Sequence, residues 1–88
     1  MKIGVLGSGT MGSGIVQTLA LSGYSVVMRD LNEAYLERGM KSIEKAYTKL
    51  VDKGRLTPEA RDEAIGKIVS TVELSALTDC DIIIEAAT

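Results

Sequence analysis

The chain has 88 residues, 45% of them apolar and 25% charged, and carries a net charge of −2 at neutral pH. That length supports one small domain with a thin core, and the apolar content excludes a disordered chain. Lys and Arg alternate with Asp and Glu along the sequence in a slightly acidic balance, which gives no electrostatic footprint for nucleic acid.

Lys2 to Leu6 reads as a short strand whose nearly continuous Ile, Val and Leu suit a parallel strand covered on both faces. Gly7 turns the chain. From Thr10 to about Leu21 the pattern is helical, with Met11, Ile15 and Leu19 as a stripe on one face and Gly23 placed to end the helix in a left-handed cap. Ser25 to Asp30 is the second strand, β-branched at its centre and acidic at its carboxyl end. Together these make a right-handed parallel βαβ unit. Asn32 then caps a long amphipathic helix in which Leu36, Met40, Ile43, Tyr47 and Leu50 recur every three or four positions, ending near Gly54. Thr57-Pro58-Glu59 opens a short helix to about Gly66, with a capping hydroxyl, a proline at the first turn and a carboxylate beside the positive helix end. Ile68 to Val72 is a third strand, Leu74 to Leu77 at most a helical turn, and Asp81 to Glu85 a fourth strand. The sequence has no internal repeat and no low-complexity segment.

The stretch that organises the rest is Gly7-Ser8-Gly9-Thr10-Met11-Gly12. A G-x-G-x-x-G string is weak by itself, but here a strand precedes it, a helix follows it, and Asp30 stands about 20 positions on, which is the full context of a dinucleotide fingerprint. Each glycine meets a different steric demand. Gly7 turns the chain out of the strand, Gly9 lets the backbone approach a pyrophosphate, and Gly12 lets the helix pack on the strand. Thr10, Met11 and Gly12 open the helix with free backbone N–H groups, where the helix dipole favours a phosphate. Asp30, at the end of the second strand, is placed to accept hydrogen bonds from the adenosine ribose and to repel a 2′-phosphate, which favours NAD over NADP. Arg29 is the complication, since an arginine nearby can accommodate that phosphate, but strand alternation turns it away from Asp30.

The remaining polar residues read as structural. Cys80, the only cysteine, has no partner for a disulfide and no basic sequence neighbour to activate it. Histidine is absent altogether, so transition-metal binding is not expected and no imidazole is available for proton transfer near neutral pH. Lys49 and Lys53 complement the dipole at the end of the long helix. Glu85 faces the carboxyl side of the sheet, where ligands bind in open α/β folds. No apolar run approaches the ~20 residues of a membrane helix, and Met1-Lys2-Ile3 runs straight into a strand. A cytoplasmic location with no membrane partner is the expectation.

Three stretches carry a family resemblance: Gly7-Ser8-Gly9-Thr10-Met11-Gly12-Ser13-Gly14-Ile15-Val16-Gln17, Val27-Met28-Arg29-Asp30, and Asp79-Cys80-Asp81-Ile82-Ile83-Ile84-Glu85-Ala86-Ala87. They resemble the amino-terminal part of 3-hydroxyacyl-CoA dehydrogenases, with the bacterial 3-hydroxybutyryl-CoA enzymes nearest, and the likeness covers essentially the whole chain. The resemblance implies NAD as cofactor and interconversion of a 3-hydroxyacyl-CoA with the 3-oxoacyl-CoA. It implies NAD-binding roles for Gly7, Ser8, Gly9, Thr10, Met11, Gly12 and Asp30. It also implies a CoA contact at Lys53, although Ala46 stands where some members carry the accompanying serine. The family's further cofactor glutamate, its Ser and Asn, its catalytic His-Glu pair and its helical domain would all follow Thr88, so no catalytic residue is expected within residues 1–88.

The implied fold is α/β: the first half of a doubly wound Rossmann domain, truncated, with a parallel sheet in the order 3-2-1-4 and a long helical insertion between strands two and three. Strand four would then be an edge. Its apolar side chains and unpaired backbone predict self-association there, or else a rearranged carboxyl end. The long passage from Leu31 to Ile68 favours an enzyme fragment over the alternative, a stand-alone nucleotide-sensing module, which needs only one short crossover helix.

Overall fold

The computed structural model describes residues 1–86; Ala87 and Thr88, the end of the stretch that begins at Asp79, lie outside the described residues. The elements run β1 (Lys2–Leu6), α1 (Thr10–Leu21), β2 (Ser25–Arg29), α2 (Glu33–Asp52), α3 (Pro58–Gly66), β3 (Ile68–Thr71), a 3₁₀ turn (Leu74–Leu77) and β4 (Ile82–Glu85). The four strands form one parallel sheet in the order β3-β2-β1-β4. This is the order the sequence predicts, with β2, β3 and β4 each a residue shorter than read. Asp30 therefore sits just past the end of β2.

Local chemistry sets the boundaries. α1 and α2 both end in the same backbone motif: Gly23 at φ 97° and Gly54 at φ 71° adopt the left-handed conformation that L side chains resist. Each glycine N–H bonds back to Ala20 or Val51, and the following Tyr24 or Arg55 N–H reaches Leu19 or Leu50. Asn32 and Thr57 accept from the N–H groups of Tyr35 and Ala60 and so cap α2 and α3. Asp81 pins the start of β4: its carboxylate accepts from the Lys2 N–H, and its own N–H donates to the Lys2 carbonyl, both at 2.8 Å.

The sheet buries its two faces differently. Val5, Val26 and Met28 join Val16, Ala20, Leu36, Ile43, Tyr47 and Ala64 in one core beneath the helices. On the other face Gly4 leaves room for the 3₁₀ turn, since a Cβ there would fall 2.6 Å from Leu77 Cδ2. Tyr47 lies at the heart of the helical core with no exposure, and its hydroxyl donates to the Gln17 carbonyl at 2.6 Å. That bond joins α2 to α1.

The stripe Met11-Ile15-Leu19 runs along the flank of α1: Met11 is 59% exposed, Ile15 and Leu19 are partly buried against the core, and the fully buried residues are Gly12, Ser13, Val16 and Ala20. Close approach decides the matter. A Cβ on Gly12 would stand 2.0 Å from the Gly7 carbonyl oxygen, so only a line of small residues lets α1 lie this near β1, and the larger side chains fall to the flank. Gly39 does the same for α2, where a Cβ would meet the Ser8 carbonyl oxygen at 2.7 Å and Ser8 Cβ at 3.0 Å.

Two measurements test this packing. Gly39→Ala should lower the urea midpoint, by roughly 1–3 kcal/mol of overpacking, despite a helix-propensity gain of about 1 kcal/mol. Gly14→Ala, where a Cβ meets nothing within 4 Å, should be neutral or stabilising; equal behaviour of the two variants would contradict the close approach. Burial pushes the Tyr47 phenol up to about 12, whereas an unfolded tyrosine ionises near about 10. Between these values the unfolded chain has lost the proton that the folded chain keeps, so stability falls as pH rises through that window. Tyr47→Phe should cost about 1 kcal/mol at neutral pH and lose that alkaline component; an unchanged alkaline slope would refute the assignment.

Candidate functional site

The carboxyl ends of β1 and β2 open into a cleft of ≈ 800 Å³, walled by the glycine loop, the start of α1, Asp30 and Leu31, the first half of α2, and Ala86. Its floor is the turn out of β1. Gly7 takes φ 111°, and its N–H donates to the Arg29 carbonyl at 2.8 Å, so β1 and β2 stay paired up to the turn itself.

Asp30 then locks the loop. One carboxylate oxygen, Oδ2, accepts from both the Ser8 N–H at 2.8 Å and the Ser8 hydroxyl at 2.7 Å. The other, Oδ1, accepts from the Leu31 N–H at 2.7 Å. Partial burial pushes the carboxyl up, but the bonds from Ser8 and Leu31 and the charge of Arg29 outweigh it, and the group titrates below the ordinary aspartate range. Asp30 therefore holds its negative charge throughout the neutral range. The pairing gives Ser8 a task that its place in the motif did not reveal: it is buried, and both of its donors are taken by Asp30.

α1 presents its first turn to the cleft with no side-chain cap, since Gly9 is the N-cap and the first turn contains no acidic residue. The N–H groups of Thr10, Met11 and Gly12 precede the first intrahelical partner and have none within the helix. A Cβ on Gly9 would meet nothing within 4 Å, so the space over the loop is open to a ligand. Backbone donors, a helix dipole and open space together suit an anion.

All seven residues expected to bind the cofactor meet here. Gly7, Ser8, Gly9, Thr10, Met11 and Asp30 line the cleft, while Gly12 packs beneath it against Gly7. Lys53 does not join them. It is the exposed C-cap of α2, fifteen residues beyond Arg38, or about 22 Å along the helix at 1.5 Å per residue. Ala46 is likewise absent from the cleft lining. Arg29 points elsewhere, as strand alternation predicts: its Nε donates to the Val72 carbonyl at 3.0 Å. Glu85 is exposed on β4 and does not line the cleft.

The wall formed by α2 was missed in the sequence. Tyr35, Arg38, Gly39 and Ser42 all line the cleft, and their spacing of three, four and seven puts them on one helical face. The Arg38 guanidinium lies 5.2 Å from the centroid of the Tyr35 ring, a cation–π distance. A signal was available in Gly39, because a glycine inside a helix costs about 1 kcal/mol against alanine and implies a close packing partner. Among the described residues no group of three or more His, Cys, Asp or Glu could hold a metal ion, and no helix is long and apolar enough to cross a membrane.

Comparison with known proteins places the chain in a family. The family profile of the 3-hydroxyacyl-CoA dehydrogenase NAD binding domain matches residues 2–88. The chain is 45% identical over 86 residues to a probable 3-hydroxybutyryl-CoA dehydrogenase of Deinococcus radiodurans, covering 98% of this chain and 31% of that protein. It is 41% identical over 86 residues to the 3-hydroxybutyryl-CoA dehydrogenase of Bradyrhizobium diazoefficiens, covering 98% and 29% respectively. The crystal structure of (S)-3-hydroxybutyryl-CoA dehydrogenase PaaH1 from Ralstonia eutropha superimposes with a TM-score of 0.97 at 36% identity, over 99% of this chain and 31% of that one. The chain thus spans about a third of the length of these relatives. The family match over residues 2–88 and the fold shared with PaaH1 show that the chain belongs to the NAD-binding domain family of the 3-hydroxyacyl-CoA dehydrogenases, and its cofactor is NAD.

Proposed function

We propose that residues 1–88 are the first half of a Rossmann domain and hold the adenosine diphosphate part of NAD in the cleft, for an oxidoreductase that interconverts 3-hydroxyacyl-CoA, four-carbon substrates included, and 3-oxoacyl-CoA. The observation that carries this reading is the uncapped start of α1 facing open space beside Asp30. The Thr10, Met11 and Gly12 N–H groups meet the pyrophosphate, and the lone pairs of Asp30 left free by Ser8 and Leu31 accept from the ribose hydroxyls. Bound NAD supplies the hydride acceptor. The printed names of the Deinococcus and Bradyrhizobium relatives support the substrate class, and Lys53 is the CoA contact that the family pattern suggests.

The chain by itself does not turn over. Removing a proton from a substrate hydroxyl needs a positioned acid–base group, and among the described residues the cleft lining includes no histidine, glutamate, lysine or cysteine. Calorimetric titration with NAD should show binding that Asp30→Ala weakens by about tenfold, the worth of a charge-assisted hydrogen bond. Equal heats for the two proteins would overturn the ribose contact. Incubation with acetoacetyl-CoA and NADH should give no change in absorbance at the NADH band; turnover above background would show that proton transfer has another source.

We propose further that a second copy of the chain pairs with the β4 edge. β4 is hydrogen-bonded to β1 on one side only, and Ile82 and Ile83 are 46% and 50% exposed. An apolar edge without proline or lysine is a template for another strand. Sedimentation at tens of micromolar should show a dimer or larger species, and Ile83→Lys should return it to a monomer. A wild-type monomer at that concentration would sink the idea.

A further inference from the structure

The cleft contains a charge that the NAD reading leaves unused. Among the described residues that line it, Arg38 is the only cation and Asp30 the only anion. Both belong to the same wall. Asp30 is bonded to Ser8, the backbone of Ser8 abuts Gly39, and Arg38 is the residue before Gly39. Among the described residues Arg38 forms no ion pair; the residue is exposed, and its guanidinium lies over the Tyr35 ring at 5.2 Å from the centroid. A cation–π contact of this kind uses no N–H hydrogen bond of the guanidinium, which can still donate to an oxyanion. Arg29, the arginine beside Asp30 in sequence, is committed to the Val72 carbonyl instead.

We propose that Arg38 is a ready-made receptor for the 2′-phosphate of NADP, and that the negative charge of Asp30 alone keeps this chain selective for NAD. The inference rests on the reading of the cleft as an adenine-dinucleotide site, and it assigns the selectivity to a pair of residues on separate elements. Asp30 has two tasks here. It repels a dianion at the ribose, and it holds Ser8. Only the first depends on charge: in Asp30→Asn the amide oxygen still accepts from the Ser8 N–H and hydroxyl, while the Leu31 N–H at the edge of the cleft loses its acceptor. Removing the charge while keeping that acceptor should therefore expose the affinity that Arg38 already offers, with no new basic residue required.

Calorimetric titrations of wild type, Asp30→Asn, Arg38→Gln and the double variant with ADP, 2′,5′-ADP, NAD and NADP test this. Asp30→Asn should bind NADP and 2′,5′-ADP about tenfold or more tighter than wild type, the range of one charge-assisted phosphate contact, and the double variant should lose that gain. Arg38→Gln alone should weaken 2′,5′-ADP more than ADP, a comparison that stands if Asp30→Asn fails to fold. Raising salt should erode the gain in NADP affinity of Asp30→Asn more than its affinity for NAD. NAD binding by wild type with no gain for NADP in a folded Asp30→Asn, or a gain that survives Arg38→Gln, would overturn the proposal. Absence of NAD and ADP binding to all four proteins would instead overturn the reading on which it rests.

Discussion

The carboxylate of Asp30 bonded to Ser8 is the constraint on which the site depends. Parallel pairing brings the carboxyl ends of β1 and β2 side by side, but pairing ends at Leu6 and Arg29, and a loop rich in glycine has little conformational preference of its own. Two hydrogen bonds of 2.7–2.8 Å to one carboxylate oxygen supply what the loop lacks. They fix Ser8 against the end of β2 and with it the direction from which Gly9 and the first turn of α1 approach the cleft. The charge proposed to meet the ribose is thus also a structural charge.

Packing around this point relies on the absence of side chains. Gly12 lies against the Gly7 carbonyl and Gly39 against the Ser8 backbone, at distances no Cβ tolerates, so α1 and α2 clamp the loop from two sides. The Tyr47 hydroxyl then ties the two helices together through Gln17. α2 serves both ends of this arrangement. Its apolar stripe of Leu36, Ile43 and Tyr47 enters the core, and its adjacent face of Tyr35, Arg38 and Ser42 lines the cleft.

Most of the architecture was legible because its signals are local. Capping residues at Asn32 and Thr57, left-handed glycines at Gly23 and Gly54, and apolar strands bounded by turns each act within a few positions, and the strand order followed from the fingerprint. What stayed hidden was relational. Ile15 and Leu19 pack only at the edge of the core while Gly12, Ser13, Val16 and Ala20 are fully buried, because the close approach of α1 to the turn at Gly7 admits only small side chains there. Ser8 stood in the sequence only as a member of the loop implied to bind NAD, and its bond to Asp30, 22 residues on, has no local signal. Arg38 was passed over because a charged residue on an amphipathic helix reads as solvated, and only the approach of α2 at Gly39 brings it to the cleft. Lys53, by contrast, occupies the helix end where its sequence placed it, well away from the loop.

If the loop, Asp30 and the inner face of α2 form one nucleotide site, they respond to a ligand together. Amide chemical shifts followed by ¹⁵N–¹H correlation spectroscopy during titration with ADP test this most directly. Gly9, Thr10, Met11, Gly12, Leu31 and Arg38 should shift together along one saturable curve while the amides of α3 stay still. Shifts confined to α3 or the β4 edge, or shifts in the loop without Arg38, would contradict it.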